Sequence, residues 1–307
     1  MKLIHNAGEL GNGDRKVCLA IGVFDGVHLG HQQIIRRTVA DAHQHAALSV
    51  VVTFDRHPNA VVAPDRVPDR IYTASQKSRA IAALGVDALL EIVFDRPFSE
   101  KTGDQFVREL AAGFGRIHSI CVGADFVFGH RRTGDVALLE KLGREFQFQV
   151  HGLAAVSLDG QTVSSTRIRD QIRAGQLEAV SEMLGRPYSI CGQVVSGDQI
   201  GHQLGFPTAN LEVAGLVLPP NGVYAAVTQL REHFFQAALN IGYRPTLASA
   251  SPVLRVEAHL LDFSGDLYQQ ELELEIGAKL RDEIRFGSPR ELREQIERDV
   301  AAIRGLE

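Results

Sequence analysis

Two histidines lie three residues apart in a glycine-rich stretch, residues 22–31 (GVFDGVHLGH), directly after a hydrophobic run. Glycines let the backbone approach a ligand closely, and the stretch runs into a predicted helix over residues 32–45. The N-terminus of a helix offers unpaired N–H groups and the positive end of a dipole, both of which favour an anion. His28 and His31 share one face of the first helical turn, so both rings could donate hydrogen bonds to a phosphate. Phosphate chemistry is one interpretation, and a metal site that includes Asp25 or simple helix capping are the alternatives.

The first half of the chain has a pattern that predicts a sheet able to position these histidines. Apolar runs typical of buried strands alternate with helical stretches. The runs are residues 17–21, 48–54, 88–94 and 119–123, and the helical stretches include residues 75–84 and 104–114. The alternation predicts a mainly parallel sheet with helices on both faces. Ligands of such sheets bind outside the carboxyl ends of the strands, and the histidines follow one of these ends.

The pattern changes near Gly185. A helical spacing over residues 165–184, interrupted by Gly175, precedes the change. After it come β-type segments separated by glycine and proline turns, which predict an antiparallel sheet or small barrel. These segments are residues 189–195, 222–228, 234–240, 254–261 and 271–276. The chain closes with a capping box at Ser288 and Glu291 and a helix with one apolar face. We therefore predict two domains, residues 1–185 and 186–307.

The composition limits the classes of function. The chain has 307 residues, of which 45% are hydrophobic and 22% charged, and its formal net charge is -5. This balance is typical of a globular protein and argues against a nucleic-acid-binding surface spread over the whole molecule. We find neither a signal peptide nor a membrane-spanning stretch. Cys18, Cys121 and Cys191 are few and far apart, which favours a reducing compartment. We expect a cytoplasmic protein that acts on small molecules.

Two groups in the second half could do chemistry. Thr208 and Asn210, in residues 205–210 (GFPTAN), present oxygen atoms of the kind that Mg²⁺ prefers, although a proline turn with a capping threonine is the simpler interpretation. Glu257 shares one strand face with Arg255 and His259, because alternate residues of a strand point to the same side. A face of this kind is most often merely solvated.

Several short strings resemble, in the same order, the motifs of the prokaryotic bifunctional riboflavin kinase/FAD synthetase family. Residues 22–31 match its G-x-F-D-G-x-H-x-G-H motif, and residues 205–210 match its G-F-P-T-A-N motif. The other strings are TFDRHP at residues 53–58, GADFVFG at 123–129, SSTRIR at 164–169, LPPNGVY at 218–224 and NIGYRPT at 240–246. The chain departs from the family at Arg56, where proline is usual, and at His202, where arginine is usual.

For the first half, the resemblance implies a Rossmann-like HxGH nucleotidylyltransferase domain with a parallel sheet, in which FMN attacks the α-phosphorus of ATP to give FAD and pyrophosphate. His28 and His31 are the implied catalytic residues. The implied ATP- and phosphate-binding residues are Gly22, Phe24, Asp25, Gly30, Ser165, Thr166 and Arg169. The implied flavin-binding residues are Asp125, Phe126 and Phe128. Taken alone, the serines before Thr166 could simply cap a helix, and the two phenylalanines could belong to the core.

For the second half, the resemblance implies an antiparallel β-barrel riboflavin kinase domain that ends in a helix and makes FMN with ATP and Mg²⁺. Glu257 is the implied general base, and Arg281 the implied flavin-binding residue. Gly201, Thr208 and Asn210 are the implied ATP-binding residues, the last two also as Mg²⁺ ligands. An alcohol must lose a proton to attack, whereas a phosphate monoester, with a second pKa near ~6, is already ionised. Two alternatives stay open: an adenylyltransferase with an impaired kinase half, because of His202, and a flavin-binding protein without catalysis.

Overall fold

The computed structural model describes residues 1–197, 205–244 and 253–306, which form two compact units, Met1–Arg167 and Ile168–Glu307. The strands of the first unit are β1 (Lys2–Ile4), β2 (Val17–Ile21), β3 (Leu48–Phe54), β4 (Ala88–Ile92), β5 (Ile117–Gly123), β6 (Gln149–Leu153), β7 (Ser157–Leu158) and β8 (Gln161–Thr162). Its helices are α1 (Leu29–Gln44), α2 (Asn59–Val62), α3 (Ala74–Ala82), α4 (Arg96–Ser99), α5 (Gly103–Phe114) and α6 (Val136–Phe146). Helix α7 (Ser165–Arg173) begins in the first unit and ends in the second.

The second unit consists of antiparallel strands that are preceded and followed by helices in the chain. Helix α8 (Leu177–Leu184) comes first and helix α9 (Pro289–Arg304) last. The strands between them are β9 (Ser189–Val195), β10 (Ala209–Glu212), β11 (Gly222–Leu230), β12 (His233–Arg244), β13 (Val253–Leu260) and β14 (Glu271–Arg281). Gly175, with φ of 75°, separates α7 from α8, as the interrupted helical pattern predicted. Within the three described ranges, none of the helices is both long and apolar enough to cross a membrane.

The six-stranded sheet of the first unit is parallel throughout, in the order β1-β4-β3-β2-β5-β6, and β7 and β8 form a separate antiparallel pair. All five residues of β2 are buried, because helices cover both faces of the sheet. Ile34 and Ile35 of α1 pack on one face together with Ile81 of α3. Phe106 of α5 and Leu139 of α6 pack on the other face. The predicted doubly covered parallel sheet is therefore confirmed.

The order of the strands reverses at β2. From β2 the chain proceeds to β3 and β4 on one side, and it later places β5 and β6 on the other side. In open α/β sheets the crevice at such a reversal, outside the carboxyl ends of the strands, is where ligands bind. Residues 22–31, which we call the histidine turn, begin at the carboxyl end of β2. The topology therefore positions the two histidines at the expected ligand crevice.

The strands of the second unit close into an antiparallel barrel, in the order β10-β13-β12-β11-β14-β9. Alternate residues such as Leu239, Val256 and Leu274 are buried, which leaves their neighbours on the outer face. At the start of α9, the Ser288 side chain accepts a hydrogen bond from the Glu291 N–H, as the predicted capping box requires. The predicted barrel that ends in a helix is confirmed, whereas the domain boundary at residue 185 stays a prediction.

Candidate active sites

The histidine turn has an unusual backbone. Phe24 and Val27 have φ of 53° and 41°, and Gly26 has φ of 78°. Positive φ is costly for residues with a Cβ, and such strain is concentrated at functional sites. The turn also needs Gly22, because a Cβ there would lie 2.9 Å from the ring of Phe24. The glycines of the motif therefore allow a tight turn that folds Phe24 back over the end of β2.

The two imidazoles of the turn stack on each other. His28 is 6% exposed and is the N-cap of α1, where its Nδ1 accepts the N–H of His31 at 3.4 Å. The ring centroids of His28 and His31 lie 3.6 Å apart with an interplanar angle of 20°. The rings of Phe24 and His31 meet edge-to-face, with their centroids 5.2 Å apart. A Cβ on Gly30 would lie 3.2 Å from the His28 ring. The same-face prediction is confirmed, and helix capping proves to be part of the arrangement.

The protonation of the pair follows from these contacts. Because Nδ1 of His28 accepts a hydrogen bond, the proton of its neutral ring lies on Nε2, which can donate to a ligand. Desolvation, followed by the neighbouring His28 ring, holds the pKa of His31 well below its usual range. The buried Nδ1 of His31 has no hydrogen-bond partner within the part of the chain that the structure describes. The turn can therefore offer imidazole N–H donors to an anion at neutral pH.

Asp25 holds the turn in place on two sides. Its carboxylate accepts the backbone N–H groups of Ile71 at 3.1 Å and Tyr72 at 3.3 Å. Its carbonyl oxygen accepts the hydroxyl of Ser165 at 3.0 Å. The structure thus brings Ser165, at the start of α7, against the histidine turn, while the predicted contact of Asp25 with ATP stays a prediction.

The remaining residues at the start of α7 have different surroundings. Ser164 accepts the N–H of Arg167 at 3.2 Å, so the capping interpretation is correct for this serine. The Arg167 guanidinium donates to the carbonyl oxygens of Leu158 and Gln161. Thr166 is exposed and Arg169 is buried. Phosphate binding by Ser165, Thr166 and Arg169 stays a prediction from the resemblance.

A cavity beside the histidine turn is lined by Asp25 of that turn together with residues to which the sequence gave no role. Asp25, Phe54, Arg70, Tyr72 and Lys77 are among the residues that line it. Lys77 Nζ donates to the Phe54 carbonyl oxygen at 2.8 Å, and burial lowers the pKa of this lysine. The sequence did contain a clue to the position of Lys77. Thr73 and Gln76 form a capping box, which marks the start of α3 and places Lys77 in its first turn.

The predicted flavin-binding residues of the first unit lie at the end of β5. Phe126 and Phe128 stack with ring centroids 5.1 Å apart, and both pack against the core. Gly134 is required opposite them, because a Cβ there would lie 2.7 Å from the Phe128 ring. Asp125 is exposed. The core interpretation of the two phenylalanines is correct, and their contact with flavin stays a prediction.

In the barrel, strand pairing places Glu257 between two asparagines. Glu257 of β13 lies opposite Asn210 of β10 on one side and Asn240 of β12 on the other. All three are half-buried on the outer face of the barrel, and Arg255 approaches Glu257 with 3.9 Å between guanidinium and carboxylate. Asn240 lies in a string that resembles the family, but the sequence assigned it no role. Its position beside Glu257 required the pairing of strands far apart in sequence.

The oxygen atoms of Thr208 and Asn210 are of the kind that suits Mg²⁺. The hydroxyl of Thr208 and the amide oxygen of Asn210 are neutral oxygen ligands, and Gly197 lies against the Asn210 amide, leaving no room for a Cβ. Mg²⁺ commonly keeps several waters and takes only one or two protein ligands together with substrate phosphates. No cluster of three or more His, Cys, Asp or Glu suited to a metal occurs among the described residues. Binding of Mg²⁺ by Thr208 and Asn210 stays a prediction. Gly201 and His202 lie outside the described residues.

Arg281 has a structural partner. Its Nε and Nη2 donate to the carboxylate of Asp299 in α9 at 2.7 to 3.1 Å, and its Nη1 donates to the Asp282 carbonyl oxygen. Asp299 is 6% exposed and also accepts from the amide of Gln295. This pair fixes α9 to the end of β14, and flavin binding by Arg281 stays a prediction.

The first unit has stacked imidazoles at the point where the order of its parallel strands reverses. The second unit has a carboxylate between two asparagines on its barrel. Sites of these two kinds are typical of nucleotide-dependent transferases. The FAD synthetase family matches residues 12–167, and the riboflavin kinase family matches residues 184–306. The bifunctional riboflavin kinase/FMN adenylyltransferase of Escherichia coli (strain K12) is 37% identical over 306 residues, covering 99% of this chain and 97% of that protein. The Pseudomonas fluorescens protein of the same name is 38% identical, covering 100% and 98%.

The chain belongs to the bifunctional riboflavin kinase/FMN adenylyltransferase family. Its fold is also that of a solved structure described as a macrolide-efflux protein from Streptococcus pneumoniae, with a TM-score of 0.83 and 26% identity. That likeness covers 100% of both chains.

Proposed function

We propose that each unit performs one of the two reactions of the family: the second phosphorylates riboflavin to FMN, and the first adenylylates FMN to FAD. ATP is the co-substrate of both. The observation that carries this division is the difference between the two sites. One has stacked imidazoles at a helix N-terminus, whereas the other has a carboxylate between two asparagines. The two reactions need that difference, because their nucleophiles arrive in different protonation states.

In adenylylation, a phosphate oxygen of FMN attacks the α-phosphorus of ATP, and the bond to the β-phosphate breaks to release pyrophosphate. The second pKa of a phosphate monoester lies near ~6, so this nucleophile needs no base. The site must instead align the reactants and stabilise the negative charge that accumulates. His28 Nε2–H and His31 supply donors for this charge, with the N–H groups of α1 behind them. Gly22, Phe24, Asp25 and Gly30 shape the turn, and Ser165, Thr166 and Arg169 hold phosphates.

In phosphorylation, the 5′-hydroxyl oxygen of riboflavin attacks the γ-phosphorus of ATP, and the bond to the β-phosphate oxygen breaks to release ADP. Glu257 takes the hydroxyl proton as general base. The strand register that places Asn210 and Asn240 opposite Glu257 supports this role, because it surrounds the carboxylate with polar neighbours. Gly201 and Arg281 belong to the proposal only through the resemblance.

Mg²⁺ accompanies ATP in this proposal. Thr208 and Asn210 would hold it, and when bound it neutralises part of the negative charge of the phosphates. We also place the enzyme in the cytoplasm, because Cys18, Cys121 and Cys191 are all buried free thiols, as expected where disulfides are not formed.

The product profile of the purified chain tests the proposal. With riboflavin and MgATP, chromatography should separate FMN, FAD and ADP from the substrates, and pyrophosphate should appear with FAD. With FMN and MgATP, only FAD and pyrophosphate should form. FAD from FMN without any FMN from riboflavin would mean an impaired kinase half. Flavin binding with neither ADP nor pyrophosphate would mean a binding protein without catalysis.

A further inference from the structure

We propose that His259 is a positioning residue that holds residues 205–210, the PTAN loop, against β13, so that Asn210 stays opposite Glu257 and Thr208 is fixed just before it in the chain. This inference rests on the proposed kinase function of the second unit. His259 lies two residues beyond Glu257 on the same outer face of β13. Its imidazole contacts two consecutive residues of the loop, Phe206 and Pro207.

The first contact joins His259 to Pro207, which lies just outside the paired part of β10. The β10–β13 pairing matches Ala209 with Ala258 and Asn210 with Glu257, and it begins at Ala209. Pro207 lacks an N–H and cannot donate to a ladder. The carbonyl oxygen of Pro207 does have a partner on β13, because it lies 2.9 Å from Nδ1 of His259. A carbonyl oxygen only accepts, so the His259 proton must lie on Nδ1.

The second contact fixes the direction of the loop. The Phe206 ring meets the His259 ring edge-on, with centroids 5.4 Å apart and an interplanar angle of 87°. Aromatic pairs prefer this edge-to-face geometry, which adds to the stability of their contact. One imidazole therefore restrains the loop through both a hydrogen bond and a ring contact.

Thr208 is held from both sides as a result. The residue before it is bonded to His259, and the residue after it is the first of β10. Asn210, two residues further, lies opposite Glu257. Losing the bond at Pro207 would leave Thr208 restrained on one side only, by the start of β10. The proposed Mg²⁺ and phosphate ligands would then lose their alignment with the base.

Three variants of the full chain test the role of the Nδ1 donor. Asparagine places an N–H near the position of Nδ1, glutamine places one near Nε2, and alanine removes the donor. We expect His259→Ala to lower kcat/KM for riboflavin phosphorylation about 10- to 100-fold, the usual effect of losing a group that orients ligands. The loss should fall on the KM for MgATP and leave the KM for riboflavin unchanged. His259→Asn should restore most of the activity, and His259→Gln should not.

A readout without catalysis checks the same contact. Amide hydrogen exchange over residues 205–212, measured without nucleotide, should be faster in His259→Ala than in the parent and slow again in His259→Asn. FMN adenylylation by the first unit should be unchanged in each variant, and an unchanged thermal unfolding midpoint of the second unit shows that the barrel has folded. His130→Ala is the matched control, because His130 Nδ1 makes a similar 3.1 Å contact with the Ser99 carbonyl oxygen in the first unit, and it should not alter phosphorylation.

Three results would overturn the inference: phosphorylation by His259→Ala within twofold of the parent, equal activities of the asparagine and glutamine variants, or unchanged hydrogen exchange. A parent chain that makes no FMN would instead contradict the proposed kinase function, so the two failures are distinguishable.

Discussion

Replacing Glu257 by glutamine removes one negative charge from the outer face of the barrel while keeping the shape of the side chain. The structural cost can be bounded from its ion pair with Arg255, whose charged groups are 3.9 Å apart and whose side chains are 28% and 31% exposed. Coulomb's law gives about 1 kcal/mol in water at this distance and about 4 kcal/mol at an effective dielectric constant of 20. Measured pairs with such exposure contribute only about 0 to 1 kcal/mol, because solvent screens them and ordering the side chains costs entropy.

The expected catalytic cost is much larger. Removing a general base typically lowers the rate about 10²- to 10⁴-fold, which corresponds to about 3 to 5 kcal/mol in activation free energy. Glu257→Gln should therefore lose riboflavin phosphorylation by at least about a hundredfold while the unfolding midpoint of the second unit barely changes. The loss of the ion pair with Arg255 is too small to account for the expected loss of phosphorylation rate, so the two effects can be separated.

The assay measures FMN formed from riboflavin and MgATP, with FAD formed from supplied FMN as the internal control. Glu212→Gln is the matched variant, because Glu212 is an exposed carboxylate at the end of β10 with no role in the proposed site. It should retain parent activity in both reactions. Phosphorylation by Glu257→Gln within tenfold of the parent would refute the base assignment, and loss of both reactions would indicate a general defect in folding.

Three further outcomes are expected. Changing His28 and His31 together to alanine should abolish FAD formation from FMN and leave FMN formation from riboflavin intact, as product chromatography would reveal. Lowering the pH below about 6.5 should destabilise the first unit by up to about 1.4 kcal/mol per pH unit, because the unfolded chain binds a proton on His31 that the folded turn disfavours. Denaturant midpoints at several pH values should show this slope, and His31→Asn should flatten it. Asp299→Ala should destabilise the second unit by about 3 kcal/mol, because it leaves Arg281 without its buried partner. In thermal unfolding, Glu297→Ala in the same helix, where the carboxylate is exposed, should change the midpoint far less.

The strands that the sequence predicted best are those buried on both faces. Strand β2 has the predicted limits, Val17–Ile21, and so does β3, Leu48–Phe54, because a continuous apolar run leaves few alternatives. Strand β1, Lys2–Ile4, was not predicted, because two of its three residues are exposed and it carries almost no pattern. Strand β14 extends to Arg281, beyond its predicted end, where the alternation of buried and exposed residues is lost.

The local chemistry of the sites was more predictable than their long-range contacts. Helical spacing predicted that His28 and His31 face the same side, although it did not predict that their rings stack. By contrast, the position of Asn240 beside Glu257 depends on strand register, which sequence spacing does not determine. The pairing of Arg281 with Asp299 likewise joins a strand to the helix that follows it, and depends on how that helix docks.

The imidazole of His28 is both the cap of α1 and the proposed donor to phosphate, so a single rotamer serves folding and chemistry together. Such a ring need not rotate into place when a nucleotide arrives, which spares the reaction the energy of reorganising its surroundings. The same sharing restricts what an engineer can substitute there. A replacement must first satisfy the backbone of α1, which favours asparagine, aspartate, serine or threonine, before it can be tried as a catalyst.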